Sequence, residues 1–597
     1  MRFTTTFLLI LFCSIFGLSQ TTVTFVVEDI PAHEGRQVGL RGNMPPLSWE
    51  TSVPMQLVGE HYQTQLDFAA DISEIEFKFV LFDKKDEANW ETNSNRVLSL
   101  QENNQLTTVH QWDVEQLIDI STLPLLQPNQ LLQDFELIQT MVLQAHPGTY
   151  RYNDEASIQA ALDELKEKFQ QPMTYGAAYL AMSKLTSQLK CGHTWVGLYN
   201  QNATINSIIH RQADKLPFAF TWVEDKMIVL HNASEAEALV QGAEVLSING
   251  VAASRIQQQM LPYIPIDGTS LESRQAMMSV GGYDFEYYPF DVFYPLLFPA
   301  ADQQLEVVFK PYGADQPQTV TVTPLTRAER AEKLVARYAD FPKTVDDLWN
   351  FEITADKIGI LTLNSFTLYG LDHLTVDYKD FFKTVFKQLK KQKVKHLIVD
   401  IRENYGGNDE IKHELFTYFN IDKKAKDVGM VGKTRYTSFP KALRPYIQTW
   451  GDDPWYYELE PDAVEEEHGY SVFKNAFEST ELRKKKDAFK GELYLLTSPL
   501  NASLAFYLAG DFQQKKLGTI IGQTTAGNQR GINGGQILFL RLPHSEIEID
   551  FPVMGGFTLG KRPDRGIEPA VAVQPTQAAI ANGQDLVLEA AMELIKE

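Results

Sequence analysis

Residues 495 to 505 read Leu-Leu-Thr-Ser-Pro-Leu-Asn-Ala-Ser-Leu-Ala, an apolar strand that ends, turns and enters a helix within a few positions. A serine at that junction, Ser503, projects its hydroxyl from a sheet edge, where the free N–H groups of a helix start favour developing negative charge. Those are the needs of a nucleophile, although the Gly-x-Ser-x-Gly spelling of the nucleophile elbow is absent. A helix N-cap is the competing role for the same residue. A second segment, Asp400-Ile401-Arg402-Glu403-Asn404-Tyr405-Gly406-Gly407, follows the apolar run His396 to Asp400. Paired glycines let backbone N–H groups approach a reacting carbonyl, as an oxyanion hole requires. A third, Gly522-Gln523-Thr524-Thr525-Ala526-Gly527-Asn528, follows the short strand Thr519 to Ile521.

A base is also needed. His193, in Cys191-Gly192-His193-Thr194, is a candidate, because an imidazole of ordinary pKa near about 6.5 accepts a serine proton at neutral pH. A buried structural histidine is the alternative. Cys191 reads either as a thiol nucleophile or as a small buried residue. Metal-dependent hydrolysis has no support, since the 12 histidines include no His-Glu-x-x-His, and neither a metal nor a cofactor is expected.

Taken together and in this order, the segments resemble the tail-specific (C-terminal-processing) serine peptidase family. The Asp-x-Arg-x-Asn-x-Gly-Gly run, Asn501-Ala502-Ser503, the Gly-x-Thr-x-Gly loop and the closing Arg565-Gly566-Ile567-Glu568-Pro569 all follow its pattern. Gly192-His193-Thr194 is similar to the start of the family's histidine-bearing, tricorn-like branch. The resemblance covers about residues 131 to 595. It implies Ser503 as nucleophile, with the oxyanion held by N–H groups of Leu504 and of Gly406 or Gly407. The lysine of the Ser-Lys branch is replaced by Asn528, which cannot take a proton. The resemblance therefore implies His193 as base, oriented by an acid near the C-terminus, Asp564 or else Glu568. Gly192 departs from the serine that precedes this histidine in tricorn-type enzymes.

The elements that must position these residues are legible in the patterning. From about 350 the order is β, α, β, α, with strands Ile358 to Leu363, His396 to Asp400 and Leu493 to Thr497, which predicts an α/β core. Family resemblance makes that core crotonase-like and places the catalytic domain at 345–597. Helical periodicity covers 128–200: Leu131, Phe135, Ile138 and Val142 share one face, and a second helix is capped by Asn153 or Asp154. Residues 210–327 return to strands, and Gly242 to Val251 resembles the central strands of a PDZ domain, a fold that captures peptide ends at a sheet edge. The charged stretch 464–490 is expected to be an exposed helical excursion.

Residues 21–115 alternate in the β manner and predict a small sandwich. Leu40-Arg41-Gly42-Asn43, Trp49, Phe77-Lys78-Phe79 and Trp90 resemble a starch-binding carbohydrate module. That resemblance implies a sugar platform of Trp49, Lys78 and Trp90 and an α-glucan partner; the alternative is that the tryptophans are sandwich core. The whole is a multidomain α/β and β protein.

Residues 1–20 read as a signal peptide, with Arg2 before the apolar run Phe7 to Phe16, a run too short to span a bilayer. Export to the periplasm or outside is expected, and Phe12 before Cys13 argues against a lipoprotein. The net charge of −23 argues against nucleic acid as a partner. The expected substrate is a protein or peptide. The competing function is a binding protein on the same fold that has lost its base.

Overall fold

The computed structural model describes residues 20–596, apart from 32, 34, 60, 71, 92–94, 101–104, 113–118, 285, 301–302, 340, 368–376, 422–429, 450–453, 462, 468, 475–484 and 487. The proposed signal peptide thus lies almost wholly outside the described residues. No helix among those described is long and apolar enough to cross a membrane.

The chain divides after Gln116 into two units. Among the described residues, the first is built from strands joined by turns. One sheet runs Gln56–Val58, His61–Ala69, Gln20–Glu28, Gln105–Gln111, and the other Val53–Pro54, Gln37–Gly42, Glu74–Phe82, Ala88–Trp90. Alternation dictates the packing: Val23, Phe25 and Val27 face Phe77, Phe79 and Leu40 in a shared core, with Phe25 and Phe77 edge to face at 4.9 Å. Trp49 and Trp90 are not in that core. Both are partly exposed, with ring centroids 6.0 Å apart.

The second unit opens with three helices. Pro128–Thr140 starts on a proline and a Gln127/Gln130 capping box and buries Leu131, Phe135 and Ile138. Glu155–Lys168 is capped by Asp154, whose carboxylate accepts the Ser157 N–H, and buries Ile158, Ala161, Leu162 and Leu165. Tyr175–Gln188 is capped by Thr174 and delivers the chain to Cys191. Next comes a sheet of Phe218–Val223, Lys226–Asn232, Glu244–Ile248, Leu305–Lys310 and Gln318–Val322. Its edge strand Phe218–Val223 is bridged on the outer side by the chain itself: Phe220 and Val280 exchange two backbone hydrogen bonds of 2.9 Å.

The α/β core is a sheet in the order Trp349–Ile353, Ile358–Leu363, His396–Asp400, Glu492–Thr497, Gly518–Gly522, Val571–Ala572. All pairs after the first are parallel, so the strands from Ile358 onward end on the same side. The three motif segments are the turns that leave three neighbouring strands there, where ligands bind open α/β sheets. A second sheet holds Gly535–Arg541 and Glu548–Thr558, and the short strand Trp195–Val196 joins it by pairing Trp195 with Asp550. Of the stretch 464–490, residues 468, 475–484 and 487 lie outside the described residues, and its first part departs from the expected helix. Val464–Glu467 and Tyr470–Phe473 pair as antiparallel strands around Gly469, whose φ of +77° suits the tight turn. Three consecutive glutamates there sit on an edge strand, exposed, which satisfies their charges without any helix.

Candidate active site

Ser503 opens the helix Ser503–Gln514 with φ of +45°, a conformation uncommon for any residue with a Cβ. The N-cap position is Ala502, and it makes no side-chain cap bond. Ser503 is therefore not the cap, and its hydroxyl is turned elsewhere: Oγ lies 3.0 Å from Nε2 of His193, 310 positions earlier in the chain.

The buried amide of Asn501 pins the serine turn to both other motifs. Its Nδ2 donates to the carbonyls of Ile401 and, at 3.1 Å, Asn404, and its Oδ1 accepts the Ser498 N–H at 2.8 Å. Its own carbonyl accepts from Ala526 (3.0 Å) and Gly527 (3.3 Å) of the third loop. Asn501-Ala502-Ser503 is formally a glycosylation triplet, but Asn501 is 0 % exposed and offers no accessible amide.

The Gly-Gly turn lies directly against the serine. A Cβ on Gly406 would stand 2.7 Å from Ser503 Cβ and 2.9 Å from Leu504 N, and one on Gly407 would strike the Phe366 carbonyl. Both glycines have φ in the left-handed half, +117° and +135°. The two are not equivalent as donors. Gly406 N–H donates to Asn404 Oδ1 at 2.8 Å and is removed from the expected oxyanion set; Gly407 and Leu504 remain. Arg402 braces the turn from behind with paired bonds to Asp400 and Asp585.

His193 is half-buried, and its ring lies beside Gly534, where a Cβ would come within 3.0 Å of Cε1 and Nε2. Gly192 fixes its entry: the N–H donates to Asp267 Oδ1 at 3.1 Å, and the carbonyl accepts the Trp195 indole N–H at 2.6 Å. Behind it, buried His146 accepts the Gly148 N–H at Nδ1 and meets Thr194 Oγ1 at Nε2. Burial and the nearby Arg151 and Arg435 push that imidazole down to about 3, so it stays neutral. Cys191 is fully buried, and burial raises its thiol to about 12, which suits the structural reading.

Asp564 corrects an expectation. Its carboxylate is given to Asn528 Nδ2 (2.7 Å) and Arg530 (3.1 Å), and Glu568 pairs with Arg565 at 2.9 Å; neither is given to His193. Local cations compete for both acids at the exposed end of the chain's closing motif. Asn528 itself is buried, and its Oδ1 accepts the Arg530 N–H. The acid close to the histidine turn is Asp267, which no sequence motif marks. Among the described residues no group of acids, cysteines and histidines is arranged to hold a metal.

In the first unit, Lys78 faces Arg41 across neighbouring strands and Trp90 faces Val80. The Arg41 guanidinium sits over the Trp90 ring at 5.2 Å and donates to the Trp49 carbonyl at 3.0 Å. These contacts hold the two tryptophans together at the surface, with Lys78 on the adjoining strand.

No curated protein matches the chain. Among solved structures, "Structure of mature CPAF complexed with lactacystin" aligns with a TM-score of 0.52 at 10% identity, covering 78% of this chain and 97% of that one. "Crystal Structure of mature CPAF" aligns at 0.51 and 11% identity, over 78% and 96%. The likeness is one of fold. Protein-family models match residues 20–110 to the starch binding domain and residues 357–547 to peptidase family S41. The chain thus carries a region that matches the starch binding domain, followed by one that matches peptidase family S41 and holds both Ser503 and the Gly-Gly turn.

Proposed function

We propose that this protein is a serine peptidase that cleaves protein or peptide substrates through an acyl-enzyme on Ser503, with His193 as general base. The observation that carries this reading is the 3.0 Å approach of His193 Nε2 to Ser503 Oγ, at a serine held with φ of +45° beside the Gly-Gly turn. His193 takes the serine proton as Oγ attacks the scissile carbonyl, and returns it to the leaving amine. The tetrahedral oxyanion is met by the N–H groups of Leu504 and Gly407, with the helix start adding its dipole. Water, activated by the same imidazole, then releases the acyl group. Asn528 takes no part in proton transfer, and no cofactor is required.

The finer readings follow from the same resemblance. The chain is exported, its core is crotonase-like, and residues 210–327 act as a PDZ-like module that receives the substrate. The partly exposed pair Trp49 and Trp90, with Lys78, forms a platform for α-glucan, because flat aromatic faces cover the apolar C–H faces of sugar rings.

A fluorophosphonate probe tests the reading. It labels the purified protein, and Ser503→Ala abolishes labelling while the fold is retained. Labelling that persists in Ser503→Ala places the nucleophile elsewhere.

A further inference from the structure

Proton transfer from Ser503 makes an imidazolium, and a half-buried imidazolium needs a countercharge. The two acids of the closing motif are spent on Asn528, Arg530 and Arg565. Asp267 is not. It lies in the loop between the turn Leu261–Tyr263 and the helix Leu271–Met277, and it is 4 % exposed. That loop is laced to the segment leading into His193: Ser187 Oγ donates to the Ile264 carbonyl at 3.0 Å, and Gly268 N–H to Lys190 at 3.1 Å. Its carboxylate then takes the Gly192 N–H, one residue before the histidine. A side chain at 192 would be pressed against it, since a Cβ there falls 3.0 Å from Oδ2. The carboxylate explains why the residue before the histidine is glycine.

The titratable groups whose charge is felt at or from Asp267 are His193, Arg151, Tyr152, Cys191 and Tyr507, and Asp564 approaches the neighbouring Gly268, where a Cβ would fall 3.4 Å from its Oδ1. Burial is the larger effect and leaves the Asp267 carboxyl above its ordinary value; His193 is the first of the groups that pull it back, followed by the Gly192 amide and Arg151. His193 Nδ1 is buried and has no hydrogen-bond partner among the described protein groups, Asp267 included, so Asp267 acts on the ring by its charge and through Gly192 rather than by a direct bond.

We propose that Asp267 is the positioning carboxylate of this site: it fixes the His193 turn through Gly192 and supplies the negative charge that stabilises the imidazolium. This rests on the peptidase reading above. In the step it serves, the Ser503 O–H bond breaks as the bond from Oγ to the substrate carbon forms. The proton stays on His193 Nε2, and Asp267 remains a carboxylate throughout.

The test compares wild type, Asp267→Asn and Asp564→Asn, by fluorophosphonate labelling rate and by turnover of an unfolded protein from pH 5 to 9. Asparagine keeps an acceptor for the Gly192 N–H and removes only the charge. Asp267→Asn lowers kcat and the labelling rate by about 10²-fold or more with KM within about threefold. Asp564→Asn shows no such loss. An Asp267→Asn protein with the wild-type kcat and labelling rate overturns the proposal. Asp267→Ser, neutral and still an acceptor, reads the same charge if Asp267→Asn does not fold. Failure of wild type to label overturns the peptidase reading and this role with it, whereas a labelled wild type with an indifferent Asp267→Asn overturns this role alone.

Discussion

Asn501 reaches from the serine turn to the Gly-Gly turn and donates its amide to the carbonyl of Asn404 at 3.1 Å. Asn404 in turn holds the Leu363 carbonyl through Nδ2 and the Gly406 N–H through Oδ1. Two buried side-chain amides therefore set the distance between Ser503 and the N–H groups that flank it.

Asn501→Ala removes the donor to the Asn404 carbonyl and the acceptor of the Ser498 N–H, while the Ile401 carbonyl keeps the Asn404 N–H; an unsatisfied buried group costs about 1–3 kcal/mol. Urea unfolding is expected to show a loss of that size, and the labelling rate at Ser503 falls further than stability alone accounts for. A variant destabilised with an unchanged labelling rate makes Asn501 a stability residue only.

Gly534→Ala puts a methyl within 3.0 Å of the His193 ring, tighter than ordinary contact. The ring must move by a few tenths of an ångström, and proton-transfer geometry is steep in distance. Labelling slows by about tenfold while the unfolding midpoint changes little; an unchanged rate means the ring tolerates the displacement.

A pH effect on stability is expected at Asp550, which lies on the strand that pairs with Trp195. Burial raises its carboxyl, and it sits beside Glu548, also raised by burial but pulled back by Arg541 at 3.1 Å. The folded carboxyl keeps its proton where the unfolded one, of pKa about 4, has lost it. Its contribution to stability therefore falls as pH rises from about 4 through the raised folded value and is flat above. Asp550→Asn removes that fall, so the variant gains on wild type at pH 8 and the gain vanishes near pH 4. Unfolding curves at the two pH values check it; an equal difference at both refutes the assignment.

The sugar platform is checked by Trp49→Ala with Trp90→Ala. Losing two aromatic faces weakens α-glucan binding by at least about tenfold, measured by affinity electrophoresis. Undiminished binding moves the sugar site off this surface.

The sequence carried the candidate site unevenly. Three motifs were legible because each is an apolar strand followed by a glycine- or serine-bearing turn, and parallel pairing brings three such turns together. His193 was legible only through its neighbours. Asp267 was not, because its partner Gly192 is 75 positions away and Ile-Pro-Ile-Asp-Gly has no distinguishing pattern. Asp564 was misread for a physical reason: position near the closing motif does not decide where a carboxylate points when Arg530 and Asn528 are nearer. The strand pair after Val464 was misread because a run of charges has no period of its own.

The bridge between Phe220 and Val280 has a consequence for affinity. Trp222 also donates its indole N–H to the Met278 carbonyl, so the bridging segment is held at two points along the edge. On the proposal that residues 210–327 receive the substrate, a peptide that adds a strand there competes with a tethered rival whose effective concentration is on the order of millimolar. Its apparent dissociation constant is its intrinsic one divided by the fraction of time the edge stands open. Short peptides would then bind poorly at that edge, and a long unfolded chain that gains contacts elsewhere could still displace Val280. Selectivity for extended substrates would follow from competition, without any pocket that reads their sequence.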